Sequence, residues 1–171
     1  MGSLEEQSFL VNNLLEQSET SLSNGDSEGA LVLVRGLAEL LNHQARNRLL
    51  RRHLLHTDQM NNVTLQRVKM CNLVRNAMNQ LPSTTSAVEW AAQTIGSCVA
   101  VPQEVNAEAR NATMKVLGTV LNTFNEEAEP ISGTSSDAVV DGLSNLLESP
   151  MDDASELVAA AAQARGMVDG V

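Results

Sequence analysis

The chain has 171 residues and a formal net charge of −10, with 43% hydrophobic but only 2% aromatic residues. A chain of this length is sufficient for one compact domain with its own core. Because Leu and Ala outnumber β-branched and aromatic residues, the composition favours helix over sheet. No stretch approaches the roughly 18 consecutive apolar residues of a membrane span, so we expect no direct membrane insertion by this segment.

The charge is distributed unevenly along the chain. Residues 1–34 carry six acidic and no basic residues, residues 35–75 carry a net charge of +6, and residues 76–171 carry −10. The middle of the chain is therefore a basic segment between acidic flanks. Because no aromatic residue lies among the basic ones, base stacking is not expected, and we predict no nucleic-acid partner.

The apolar periodicity predicts helices in chain order. Residues 4–42 are expected to form a helical hairpin, with a turn at residues 23–26 and Asp26 as the N-cap of the second helix. Residues 43–60 scatter Arg and Leu around the whole helical circumference, which indicates an exposed basic connection without a buried face.

Residues 61–169 are predicted to be a helical bundle. Helix three is expected from about Asn62, with Arg67 and Cys71 on its inward stripe, and helix four is expected to open with a capping box of Ser86 and Glu89.

The end of the chain adds three further helices to this bundle. Helix five, from Pro102 to about Glu127, has apolar residues on two sides and is the candidate central helix. Helix six follows at residues 136–148, and a weak Ala-rich seventh helix follows Pro150. The sequence therefore predicts an all-α fold, a single module that is a bundle of about six to seven antiparallel helices.

The basic connection contains four arginines that are candidates for binding an acidic partner: Arg46, Arg48, Arg51 and Arg52. The alternative is that they are solvated or paired with acidic helices of the same chain. The histidines His43, His53 and His56 lack the further ligands of a zinc site, and the arginines repel a cation. No catalytic Ser-His-Asp or Cys-His arrangement and no phosphate loop is present, so we expect no metal, no cofactor and no enzymatic activity.

Two sequence triplets are acceptors for N-linked glycosylation, Asn62-Val63-Thr64 and Asn111-Ala112-Thr113. Asn111 lies on the polar face of predicted helix five, and Asn62 lies at the predicted start of helix three. Both positions are therefore expected to carry a glycan without disturbing the packing.

A disulfide between Cys71 and Cys98 is predicted from hairpin geometry. If helices three and four are antiparallel around residues 82–85, the two cysteines lie about 16 and 20 Å from the turn, at 1.5 Å per residue. Both face the shared core, as a bridge with Cα atoms within about 7 Å requires. The alternative is a pair of reduced cysteines that act as small apolar residues.

Three stretches resemble a known family: ALVLVRGLAELLN at 30–42, TSAVEWAAQTIGSCVAVPQEVNAEARNATMKVLGTVLN at 85–122 and SSDAVVDGLSNLL at 135–147. They are similar to the ectodomain of the polycystin family, the large polycystin-one-type receptors. The similar part is the helical region between the receptor-for-egg-jelly module and the GPCR autoproteolysis site.

This resemblance implies a non-enzymatic structural and interaction module in the extracellular part of a membrane protein of the plasma or ciliary membrane. Its partners would be other domains of the same receptor and a subunit of the associated cation channel. The residues leave open the alternative of an intracellular helical adaptor that docks an acidic partner through its basic segment.

Overall fold

The computed structural model describes residues 4–51, 57–82, 84–127, 132–150 and Ala162. Within these ranges the chain forms six α-helices and no β-strand, so the predicted all-α fold is confirmed. The helices are α1 Leu4–Ser23, α2 Ser27–Arg51, α3 Thr57–Met78, α4 Thr85–Cys98, α5 Ala107–Glu127 and α6 Gly133–Glu148, with a short 3-10 turn at Pro102–Glu104. The expected seventh helix lies, except for Ala162, outside the described residues.

The six helices form two layers. Each helix contacts the next one along the chain, α2, α4 and α6 contact in series in one layer, and α1, α3 and α5 contact in series in the other. Asn42 of α2 accepts from Arg67 of α3, and at the other end of α2 Ser27 donates to Gln80, so α2 and α3 are antiparallel. The bundle is therefore three helical hairpins stacked side by side.

The turn between α1 and α2 ends one helix and begins the next with local hydrogen bonds. The amides of Gly25 and Asp26 donate to the carbonyls of Leu22 and Ser21, at 3.1 and 2.9 Å, which closes the end of α1. Gly25 has a φ of +79°, a conformation that L side chains rarely adopt. The Asp26 carboxylate then accepts from the Gly29 amide at 2.8 Å, which confirms Asp26 as the N-cap of α2.

The middle hairpin, and not α5, is the centre of the bundle. α3 contacts α1, α2, α4 and α5, and α4 contacts α2, α3, α5 and α6. The prediction of a central α5 is wrong, because among the described helices α5 belongs to the last hairpin and contacts α3, α4 and α6 but neither helix of the first hairpin. The core between the layers consists mainly of Leu, Val, Ala and Met side chains, with Phe124 as its one aromatic ring among the described residues.

The basic connection expected at residues 43–60 is largely helical. α2 continues through Arg51, and α3 begins at Thr57 rather than at about Asn62. Leu, Gln, Ala and Arg are good helix formers, and extending an existing helix adds a hydrogen bond with each residue. Ala45 is also buried, which gives this part of α2 an inward side. Residues 52–56 lie outside the described ranges.

The starts of α4 and α5 also differ from the prediction. The N-cap of α4 is Thr84, whose hydroxyl accepts from the Ala87 amide, so the capping box of Ser86 and Glu89 is wrong. Glu89 instead accepts from the Ser132 amide at 2.8 Å and links the starts of α4 and α6. The proline expected in the first turn of α5 lies in the 3-10 turn that precedes that helix.

Two glycine-to-alanine substitutions should change the free energy of unfolding in opposite directions. A Cβ at Gly36, in the interior of α2, meets nothing within 4 Å, so Gly36→Ala should stabilise the protein by about 0.5–1 kcal/mol through helix propensity. Gly25→Ala should destabilise it by about 1–2 kcal/mol, because the positive φ is strained for alanine. Chemical denaturation measures the change in the free energy of unfolding for both variants. A change of the same sign in both would contradict the turn geometry.

Candidate functional site

A buried arginine joins the two layers of the bundle. Arg67 of α3 is fully buried, and its guanidinium donates to Glu104 Oε2 at 2.7 Å from Nε. It also donates to the Cys98 carbonyl at 2.8 Å and to Asn42 Oδ1 at 3.0 Å. The Asn42 amide in turn donates to the Ser97 carbonyl at 3.0 Å. One side chain therefore ties together α2, α3, the end of α4 and the 3-10 turn, and this set is the buried arginine cluster below.

The hydrogen bonds of this cluster satisfy polar and charged groups whose burial without partners would cost free energy. A charged guanidinium without partners costs several kcal/mol when it leaves water, so it needs a counter-charge and acceptors in the interior. Glu104 supplies the counter-charge with its side chain only 4% exposed. The carbonyl of Cys98, the last residue of α4, is one of the helix-end acceptors that have no partner within the helix, and Arg67 satisfies it. The sequence placed Arg67 on the inward stripe but did not reveal Glu104, which lies 37 residues away along the chain.

A second buried arginine holds the end of α6 against α5. Arg110 of α5 donates to Ser149 Oγ at 3.2 Å and to the Pro150 carbonyl at 2.7 Å. Ser149 donates in turn to the Leu146 carbonyl at 2.6 Å. The exit of the chain from α6 is thereby positioned by a charged side chain that sequence analysis did not single out.

The two cysteines predicted to pair lie next to each other in the core. Cys71 and Cys98 are both buried with free thiols, and they share a side-chain hydrogen bond. Thr113 Oγ1 lies 3.5 Å from Cys71 Sγ and 2.8 Å from the Ala109 carbonyl oxygen. The two cysteines thus lie at the same height in the α3–α4 hairpin and face the core, as expected. The covalent bond between them stays a prediction.

The contact between the thiols makes their acidities unequal. The hydrogen bond with Cys98 lowers the pKa of Cys71, an effect that burial opposes. The same hydrogen bond, together with burial, raises the pKa of Cys98 well above its usual value. Cys71 is therefore the more acidic of the two thiols.

A groove runs along the outer face of the α2–α4–α6 layer. Its floor is α4, where Gly96 and Ser97 are small, together with Ala100 just after that helix. Its walls are α2 and α6, and the groove has a volume of about 760 Å³. α4 and α6 pack so closely here that a Cβ on Gly96 would lie only 3.1 Å from the Ala138 carbonyl oxygen. Small outward residues on the middle helix therefore create the concavity.

Polar side chains line this groove and bond to one another across its floor. Arg35 of α2 donates to Gln93 Oε1 at 3.1 Å, and Gln93 donates to Ser135 Oγ of α6 at 3.3 Å. Arg35 also pairs with Glu39 at 3.3 Å. These bonds cross all three helices at one level. Farther along the same helices Asn42 donates to the Ser97 carbonyl, and Gly96 lies against Ala138, so α2, α4 and α6 run in the same direction.

The predicted acidic-partner residues are only partly described. Arg46 is exposed and lines the groove beside His43. Arg48 and Arg51 belong to α2, but their side chains are not among the described ones, and Arg52 lies outside the described residues together with His53 and His56. The basic stretch up to Arg51 is thus part of a helix that forms one wall of the groove.

The predicted glycosylation acceptors are separate from the groove. Asn62 is exposed in α3, and Asn111 is exposed in α5, so both belong to the opposite layer. Thr113, the third residue of the second triplet, is fully buried beside Cys71.

The part of the chain that the structure describes contains no group of three His, Cys, Asp or Glu side chains that could hold a metal ion. None of its helices combines the length and the apolar character needed to cross a membrane. Comparison with protein-family models, curated proteins and solved structures found no match.

Removing the buried arginine should be far more costly than removing an exposed one. Arg67→Met leaves the Glu104 carboxylate buried without its counter-charge, and should lower the free energy of unfolding by about 3–5 kcal/mol. Arg35→Met removes an exposed pair with Glu39 and should cost less than about 1 kcal/mol. Urea denaturation compares the two variants. Similar small losses in both would show that the buried arginine cluster does not hold the layers together.

Proposed function

We propose that this chain is a non-enzymatic structural and interaction module in the extracellular region of a polycystin-like membrane receptor associated with a cation channel. The observation that carries the proposal is the meeting of Cys71 and Cys98 in the core, joined by a side-chain hydrogen bond. A cysteine pair placed in this way is suited to an oxidising compartment, where a disulfide would staple the central hairpin. The resemblance at residues 85–122 covers Cys98 and supplies the receptor context.

Two further features support an extracellular module. Asn62 and Asn111 are both exposed on the α1–α3–α5 layer, so glycans there would leave the groove of the opposite layer accessible. The buried arginine cluster and the core between the two layers join the helices to one another, as a spacer or docking element between receptor domains requires. Its proposed partners are other domains of the same receptor and a channel subunit.

The second candidate is an intracellular helical adaptor that docks an acidic partner through its basic segment. It is favoured by the continuation of α2 through Arg51, because a helix presents basic residues on a rigid wall rather than on a loose connection. Reduced thiols would also suit this setting. The redox state of the cysteines in the protein from its natural compartment separates the two candidates.

Expression through an oxidising secretory pathway should yield a protein without free thiols. Cys71 and Cys98 meet in the folded core, and a bridge between them stabilises the chain by roughly 3–4 kcal/mol in the chain-entropy model. Thiol titration of the denatured, non-reduced protein measures the outcome. Cys98→Ser is the matched control and should show one free thiol. Two free thiols in the unmodified chain would remove the main support for the receptor module and favour the adaptor.

Secretion from a eukaryotic cell should add a glycan at Asn111 and at Asn62, since both side chains are exposed. Glycosidase treatment should lower the mass in two steps, and Asn111→Gln should abolish one of them. Asn122→Gln, at an exposed position of the same helix outside any acceptor triplet, is the control and should leave both steps. A secreted protein whose mass does not change on treatment would count against the extracellular proposal.

A further inference from the structure

The two walls of the groove on the α2–α4–α6 layer carry opposite charges. Arg35 and Arg46 line the α2 wall, and Asp137, Asp141 and Glu148 line the α6 wall. Within the described part of the chain the three carboxylates of α6 have no basic partner, whereas Arg35 pairs with Glu39 and Arg67 with Glu104. The same face of the molecule thus presents a wall with exposed cations and a wall of unpaired carboxylates.

The charges on the two walls have the same spacing. Residues 35 and 46 on α2, and residues 137 and 148 on α6, are each separated by eleven positions, which is about 16 Å along a helix. The two helices run in the same direction, and the hydrogen bonds through Gln93 place Arg35 at the level of Ser135. Arg35 therefore lies near the level of Asp137, and Arg46 near the level of Glu148.

We propose that this face binds a second copy of the chain, in a dimer whose two-fold axis runs parallel to α4. Rotation about that axis places α2 of one copy on α6 of the other without changing the level of any residue. Arg35 then faces the partner copy's acidic wall at Asp137, and Arg46 faces it at Glu148, in both halves of the interface. A two-fold axis across the helices would instead place like walls on each other, so the charges select one arrangement.

Charge distribution over the whole chain makes this contact selective. Each copy carries a net charge of −10, so most contacts between two copies bring acidic surfaces together, and a contact becomes attractive where the basic residues of α2 meet an acidic surface such as the α6 wall. Glu39 on the α2 wall weakens the dimer, because it lies near the level of Asp141 of the partner copy and the two carboxylates repel each other. The ion pair between Arg35 Nε and Glu39 Oε1, at 3.3 Å, offsets part of this repulsion. The association is therefore weak and depends on concentration. This inference is independent of the receptor assignment.

Charge exchange between the walls tests the dimer. Sedimentation velocity of the full chain, at concentrations up to about 1 mM and in about 0.15 M salt, should show a reversible dimer. The α2-wall variant, Arg35→Glu with Arg46→Glu, and the α6-wall variant, Asp137→Arg with Glu148→Arg, should each raise the dissociation constant at least about tenfold. An equimolar mixture of the two variants should associate again as a heterodimer, because its facing walls are once more of opposite sign.

Two control variants separate this interface from general effects of net charge. Lys69→Glu with Lys115→Glu changes the net charge as the α2-wall variant does, but at exposed positions of α3 and α5, and should leave the dissociation constant within about twofold. Glu16→Arg with Glu19→Arg on α1 is the control for the α6-wall variant. Circular dichroism checks that every variant is folded. A monomer at every concentration, control variants as weak as the wall variants, or a mixture that stays monomeric would each overturn the proposal.

Discussion

The structure depends on the burial of one charged side chain. Arg67 lies in the core at full burial, and a guanidinium in that position is tolerated only when its donors all meet acceptors. Glu104, the Cys98 carbonyl and Asn42 meet this requirement from three different parts of the chain. The requirement fixes the 3-10 turn against α3 and the end of α4 against α2. The register between the first and second hairpins, and the path of the chain into α5, both follow from it.

The order of the helices and the shape of the surface are connected. Because successive helices alternate between two layers, every second helix runs in the same direction, and the middle helix of each layer has neighbours on both sides. In the α2–α4–α6 layer that middle helix carries Gly96 and Ser97 on its outer side, so a groove follows from ordinary packing. The opposite charges of its walls follow from the separation of basic and acidic segments along the chain. The proposed receptor module and the proposed dimer thus use different parts of one molecule, the cysteine pair in the core and the outer face of one layer.

Most local features could be predicted because they depend on neighbouring residues. The α1–α2 turn, the Asp26 cap and the inward orientation of Cys71 and Cys98 follow from the spacing of apolar residues and from turn chemistry, which operate within a few residues. The predictions failed where one stretch of sequence carried local signals for two different structures. The basic stretch after Asn42 has no clean apolar face, yet α2 continues through it, because helix extension and the burial of Ala45 favour helix. Glu89 resembled a capping residue but bonds to the start of α6 instead.

The sequence by itself determined that the chain is helical, approximately where the helices lie, which faces are buried, and that basic and acidic residues are segregated. These properties depend on periodicity, propensity and composition, all of which are local or additive. Only the tertiary structure decided which helix is central, which carboxylate neutralises Arg67, and which walls face each other across the groove. Such pairings join residues that are distant in the chain, and many of them are compatible with the same helical pattern. The choice among them is made by close packing and by the need to satisfy each buried charge, and both operate in three dimensions.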